Sequence, residues 1–105
     1  MAVTGADPGD PIRGSTIRLT WTEGPTKGKT HEHMFHPDGT VEWGKERVPY
    51  AAMKAGDDVH LFSYLSSSGY TLTVALNFGD RTLVGFASSD KDWHPLRGRF
   101  EVAGG

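Results

Sequence analysis

The sequence predicts an all-β fold, a small antiparallel up-and-down β-barrel of seven to eight strands. Three observations carry this. Thr16 to Glu23 alternates polar and apolar residues without a break, which gives a strand one dry face, Ile17, Leu19 and Trp21, and one wet face. Variants of that pattern recur between closely spaced turn signals such as Pro37-Asp38-Gly39 and Ser66-Ser67-Ser68-Gly69. No long stretch has convincing helical periodicity. Consecutive short hairpins favour up-and-down order, and closure into a barrel removes the exposed edges of a sheet.

Residues 1–13 contain Asp7-Pro8-Gly9-Asp10-Pro11 and read as a flexible arm, which Val3 or Ile12 could tack to the domain at 14–103. The first strand spans about Gly14 to Glu23, and Gly24 to Gly28 forms a polar loop. A second strand runs from about Lys29 to His36. Pro37-Asp38-Gly39 then turns the chain into a third, about Thr40 to Gly44, with Val41 and Trp43 on one face. Lys45 to Ala55 fits a strand. One or two helical turns are the alternative, since Ala and Met favour helix and Pro49 suits a helix start.

Val59 to Leu65 is apolar on both faces, as expected of a covered or central strand. Tyr70 to Phe78 alternates again, with Tyr70, Leu72, Val74 and Leu76 on one side. Gly79-Asp80 suits a two-residue hairpin turn into the strand Arg81 to Ser88, where Gly85 signals a bulge or a close approach. Ser89 to Pro95 reads as a loop, Leu96 to Val102 as the last strand, and Ala103 to Gly105 as a fraying end.

Composition narrows the function. The 105 residues make one domain; 36% are hydrophobic, enough for one core given three Trp and five Phe. Eleven basic residues against 13 acidic give a net charge of −2, without the basic excess that binding nucleic acid demands. The absence of cysteine excludes disulfides, thiolate nucleophiles and Cys-type zinc sites, and a reducing, cytoplasmic setting is the default expectation. No signal peptide or membrane-spanning run is visible.

Gly14-Ser15, Thr20-Trp21-Thr22-Glu23-Gly24, Phe62-Ser63-Tyr64, Ser68-Gly69, Val74-Ala75-Leu76-Asn77-Phe78, Leu83, Gly85 and Trp93 together carry a resemblance. Over most of residues 14–102 the chain resembles the calycin or lipocalin-like barrels of the MoaF-like group and, more distantly, the phenolic acid decarboxylases. The resemblance implies a barrel with Ser66, and hence His60, Phe62 and Tyr64, facing inward. It does not extend to the decarboxylase chemistry. The family's paired first-strand tyrosines align with Leu19 and Trp21 here, and its glutamate with Ser66.

The sharpest local feature is His31-Glu32-His33-Met34-Phe35-His36. His31 and His33 share one face of a strand, a feasible spacing for two metal ligands. A zinc site would need His60 or His94 as a third, and surface or structural histidines are the plainer explanation, so no metal is expected. Phe35 has the larger area to bury than Met34, which turns His33 inward with it. Tyr64 either offers its hydroxyl to a ligand or is an ordinary core ring, while Trp21 and Trp43 wall the core or a cavity. Trp93 is expected at a barrel mouth, as a rim or plug. Asp57-Asp58 and Asp90-Lys91-Asp92 are exposed turn charges rather than paired acid/base groups.

The leading expectation is a binding barrel for a small apolar or aromatic molecule, walled by Leu19, Trp21, Phe35, Trp43, Phe62, Tyr64 and Phe86, with His33 and Tyr64 orienting the ligand. The alternatives are a small barrel enzyme of decarboxylase, isomerase or cyclase type, with His33, His60 or Tyr64 as candidate acid/base groups, and a packed structural module. No cofactor, nucleic acid or membrane partner is implied, and the chain is expected to be a monomer or a homodimer.

Overall fold

Antiparallel pairing runs unbroken from each strand to the next, and the last strand pairs with the first. The computed structural model describes residues 11–104. Eight strands form one closed barrel: β1 (Thr16–Glu23), β2 (Thr30–Phe35), β3 (Thr40–Trp43), β4 (Glu46–Lys54), β5 (Val59–Leu65), β6 (Thr71–Asn77), β7 (Thr82–Ser88) and β8 (Trp93–Gly104). Closure is made by β1 against β8, where Leu19 lies opposite Phe100 and Arg18 opposite Glu101. The small all-β barrel predicted from the alternation is therefore the observed fold.

Parity gives the barrel two different ends. The connections after β1, β3, β5 and β7 lie at one end, and those after β2, β4 and β6 at the other. The second end is filled. Phe35 meets Tyr50 and Phe62 edge-on at 5.0 Å each, and Phe78 meets Phe100 at 5.1 Å. The Arg81 guanidinium lies 5.6 Å above the Phe78 ring and 5.7 Å above that of Phe100. Offset and edge-on ring contacts of this kind add to the area they bury. Ile12 completes the plug, with 0% of its surface exposed.

Ile12 tacks the end of the expected arm to the domain, one of the two attachments the sequence allowed. It belongs to the core, and its neighbours are held as well: Ser15 Oγ donates to the Pro11 carbonyl (2.6 Å), and Arg13 Nε donates to that of Pro37 (2.8 Å). One branched apolar residue outweighs the breakers around it because the barrel end needs a cover. The rest of the expected arm, including Val3, lies outside the described residues.

The strand expected over 45–55 is borne out, and three other features differ from their sequence reading. Of the two possibilities for Lys45 to Ala55, the strand forms; Tyr50 and Ala52 face inward and pair across to Tyr64 and Phe62. The expected loop ending at Pro95 is shorter, because β8 begins at Trp93 and pairs Trp93, His94 and Pro95 with Ser88, Ala87 and Phe86. At the other end β8 continues through Ala103 to Gly104, opposite Thr16, instead of fraying. The turn after β6 spans the four residues 78–81 between Asn77 and Thr82, not two. Its left-handed residue is Arg81 (φ 64°), with Asp80 Oδ1 accepting from the Thr82 N–H and hydroxyl.

Gly85 marks a close approach, not a bulge: its register with β6 is regular, and an added Cβ would collide with the Thr73 carbonyl oxygen. Gly98 stands in the same relation to the Thr20 carbonyl. The two glycines let neighbouring strands coil tightly enough to close a small barrel.

Candidate functional site

At the end opposite the plug the lumen opens into a cavity of about 320 Å³. Trp21 on β1 and Trp43 on β3 form one wall, Leu72, Ala87 and Leu96 the other. The division follows from sequence. Inward positions of β1 to β3 near this end carry large rings, while β7 offers only Ala87, so space remains between them. Thr26, Ser66, Ser68, Tyr70 and His94 surround the mouth.

The floor is a polar pair in an aromatic setting. His33 Nε2 and the Tyr64 hydroxyl are 2.9 Å apart and buried at the base of the cavity. The His33 ring stacks on Trp43, with centroids 5.4 Å apart and planes 10° from parallel. Burial, reinforced by neighbouring His31, holds the His33 pKa down to about 4, with the His31 backbone carbonyl opposing weakly. Burial is also the first cause raising the Tyr64 pKa; Glu46 adds to the rise and the nearby Trp43 indole N–H opposes it. At neutral pH both groups are therefore uncharged, a hydrogen-bonding pair and not an acid–base couple.

Above the floor, Trp21 Nε1 donates to His31 Nδ1 at 2.9 Å. This bond fixes the neutral tautomer of His31 with its proton on Nε2. Partial burial and Lys29 lower the His31 pKa, which keeps that tautomer in place. The rim is clamped by Glu46, which accepts from Ser66 Oγ (2.8 Å) and the Ser67 N–H (3.0 Å). These donors hold the Glu46 pKa below its ordinary value, the Ser67 N–H contributing most.

The structure distributes the expected wall residues over three places. Trp21, His33, Trp43 and Tyr64 line the cavity. Leu19, Phe35 and Phe62 are buried in the core without lining the cavity. Phe86 is on the outside, with 49% of its surface exposed. Its strand turns Leu83 inward, so Phe86 three positions on must face out, and its β8 neighbour is Pro95. His60, a candidate acid/base group, packs at the plugged end against Phe78, with ring centroids 5.6 Å apart, away from the cavity. Trp93 neither plugs nor lines the mouth but projects from the outer surface.

His31, Leu72, Ala87, His94 and Leu96 line the cavity without having been singled out as wall residues. Leu72 was legible from the alternation of β6, and His31 from its shared face with His33. His94 and Leu96 depended on β8 starting early. Among the described residues no group of three or more His, Asp or Glu could hold a metal ion.

Neither the family-model scan nor the search of curated proteins finds a match to this chain. Among solved structures it is similar to a crystal structure described as that of a putative beta-lactamase from Burkholderia vietnamiensis. The TM-score is 0.73 at 16% identity, over 90% of this chain and 97% of that one. At that identity the likeness establishes the shared small barrel fold.

Proposed function

We propose that this barrel binds a small, uncharged, apolar or aromatic molecule in its mouth. One observation carries the reading: a cavity of about 320 Å³, walled by Trp21 and Trp43, over the neutral His33–Tyr64 pair. Apolar walls with a few placed polar groups are the usual composition of a ligand pocket, and this volume is at the lower end of the range, about 300 to 1,000 Å³, so it suits one or two rings. The lining contains no Lys, Arg, Asp or Glu. A carboxylate or phosphate would lose its hydration there without a counter-charge.

The calycin-like, MoaF-like reading of the sequence motifs agrees with a binding role and remains part of this proposal. So does a cytoplasmic setting, supported by the lack of cysteine. Lactam hydrolysis does not carry over from the structural neighbour's name. The serines at the mouth, Ser66 and Ser68, bond to Glu46 and to each other at the solvent-exposed rim.

An enzyme is the second reading, favoured by two polar side chains meeting under an open cavity. Its difficulty is His33, whose low basicity and engaged Nε2 suit orientation better than proton abstraction. Titration with 1-naphthol and with 1-naphthoate, followed by tryptophan emission, tests the binding reading. The neutral compound should saturate the signal and the anion should bind at least about tenfold more weakly. Unchanged emission with both would overturn it. Turnover of a bound compound that His33→Gln abolishes, with binding retained, would move the protein to the enzyme reading.

A further inference from the structure

Trp21 decides what His31 can offer a ligand. An indole nitrogen only donates, so His31 Nδ1, 2.9 Å from Trp21 Nε1, accepts, and the single proton of the neutral ring is on Nε2. The two ring nitrogens point in diverging directions, which turns Nε2–H away from Trp21. His31 lines the cavity, two positions along β2 from His33. Among the described residues nothing accepts a hydrogen bond from its Nε2–H.

This donor is held in place. The half-buried His31 ring packs between Trp21 and Trp43, with centroids 6.2 and 5.0 Å away. The rest of the deep lining has no side-chain acceptor to spare. Trp43 can only donate, Leu72, Ala87 and Leu96 are apolar, and His33 and Tyr64 are bonded to each other. The other His33 nitrogen, Nδ1, is buried out of reach of the cavity. Trp43 Nε1–H, buried beside the Tyr64 oxygen without reaching hydrogen-bond geometry, is a further donor. The remaining hydroxyls belong to the rim, where Ser66 donates to Glu46 and Tyr70 to Asp92.

Building on the binding reading above, we infer that the ligand is an aromatic carbonyl compound without O–H or N–H groups, whose oxygen accepts from His31 Nε2–H while its ring fills the space between Trp21 and Leu72. A hydrocarbon of the same shape would displace water from this donor and leave it unmatched. An alcohol could accept from His31, but its own proton would find no acceptor below the rim. A ketone or aldehyde meets the donor and brings none of its own. His31 is thus the residue that sets specificity, and Trp21 positions its proton.

Calorimetric titration of the full chain with 2-acetonaphthone, 1-(2-naphthyl)ethanol and 2-ethylnaphthalene tests this, since the three share a ring system and a two-carbon substituent. The wild type should bind the ketone more tightly than the alcohol. The ratio of ketone to hydrocarbon affinity should be about three- to tenfold higher in the wild type than in His31→Phe, the worth of one neutral hydrogen bond. Comparing ratios cancels any change that the substitution imposes on both ligands.

A second measurement needs no variant. Long-range proton–nitrogen spectra of the wild type at neutral pH should show His31 protonated on Nε2, with that resonance moved by the ketone and not by the hydrocarbon. A His31 protonated on Nδ1, an Nε2 signal indifferent to the ketone, an alcohol bound as tightly as the ketone, or an equal affinity ratio in folded His31→Phe would each overturn the inference and leave the binding reading standing. If none of the three compounds binds the wild type, the binding reading fails and this inference fails with it.

Discussion

His33 on β2 and Tyr64 on β5 meet at 2.9 Å although their strands are not neighbours in the sheet. Their hydrogen bond therefore crosses the lumen and ties two opposite walls at the base of the cavity. Tyr64→Phe keeps the ring and deletes the hydroxyl, leaving His33 Nε2 enclosed without its partner. The expected loss is about 1 to 3 kcal/mol in denaturant unfolding. A variant as stable as the wild type would mean that water replaces the bond.

The same pair predicts a pH dependence. The folded-state pKa of His33, about 4, is below its unfolded value of 6.5, so between these limits the unfolded chain binds the proton and the folded chain does not. The contribution is complete above about pH 6.5 and is lost as pH falls through about 4, on the order of 3 kcal/mol in total. The lowered pKa of His31 acts in the same direction. Unfolding free energies measured at several pH values should fall more steeply for the wild type than for His33→Gln. Parallel profiles would show that His33 titrates freely.

Gly85→Ala and Gly98→Ala should each cost about 3 kcal/mol or more, the upper range for overpacking, because the added methyl meets a backbone carbonyl that cannot move aside. Gly56→Ala is the control. Its nearest neighbour is the Val59 Cβ at 3.7 Å, and little change in melting temperature is expected.

Arg81 sets two effects against each other. Its left-handed backbone costs about 1 to 2 kcal/mol for a residue with a Cβ. Its guanidinium over Phe78 and Phe100 returns about 0.5 to 1 kcal/mol. Arg81→Ala should lose the second and keep the first, while Arg81→Gly should lose both and match or exceed wild-type stability. Equal stability of the two variants would refute the strain argument.

Ile12→Ala should destabilise the domain by about 2 to 4 kcal/mol, as expected for a fully buried side chain. A value near zero would return this residue to the arm.

Much of the architecture was legible because period-two alternation is a local property. Ile17, Leu19 and Trp21 announce their face without reference to any other strand, and Phe35 carries His33 inward with it. What was not legible depends on closure. Phe86 and Leu83 compete for the interior of β7, and only pairing with both β6 and β8 decides between them. Pro95 suggests a loop until its partner strand is known, and which of Val3 and Ile12 could anchor the arm stays open until the barrel end that Ile12 covers exists. For the site, the residue types at the floor could be read from sequence, but the cavity could not. It depends on Ala87 standing across the lumen from Trp21 and Trp43, a relation between distant segments.

Because the plug and the mouth sit at opposite ends, stability and selectivity are assigned to different stretches of chain. Replacing residues at 24–28 or 66–70 can reshape the entrance while the ring stack beneath Arg81 goes on holding the cylinder shut. Such a scaffold can acquire a new guest by loop exchange alone, without renegotiating its fold.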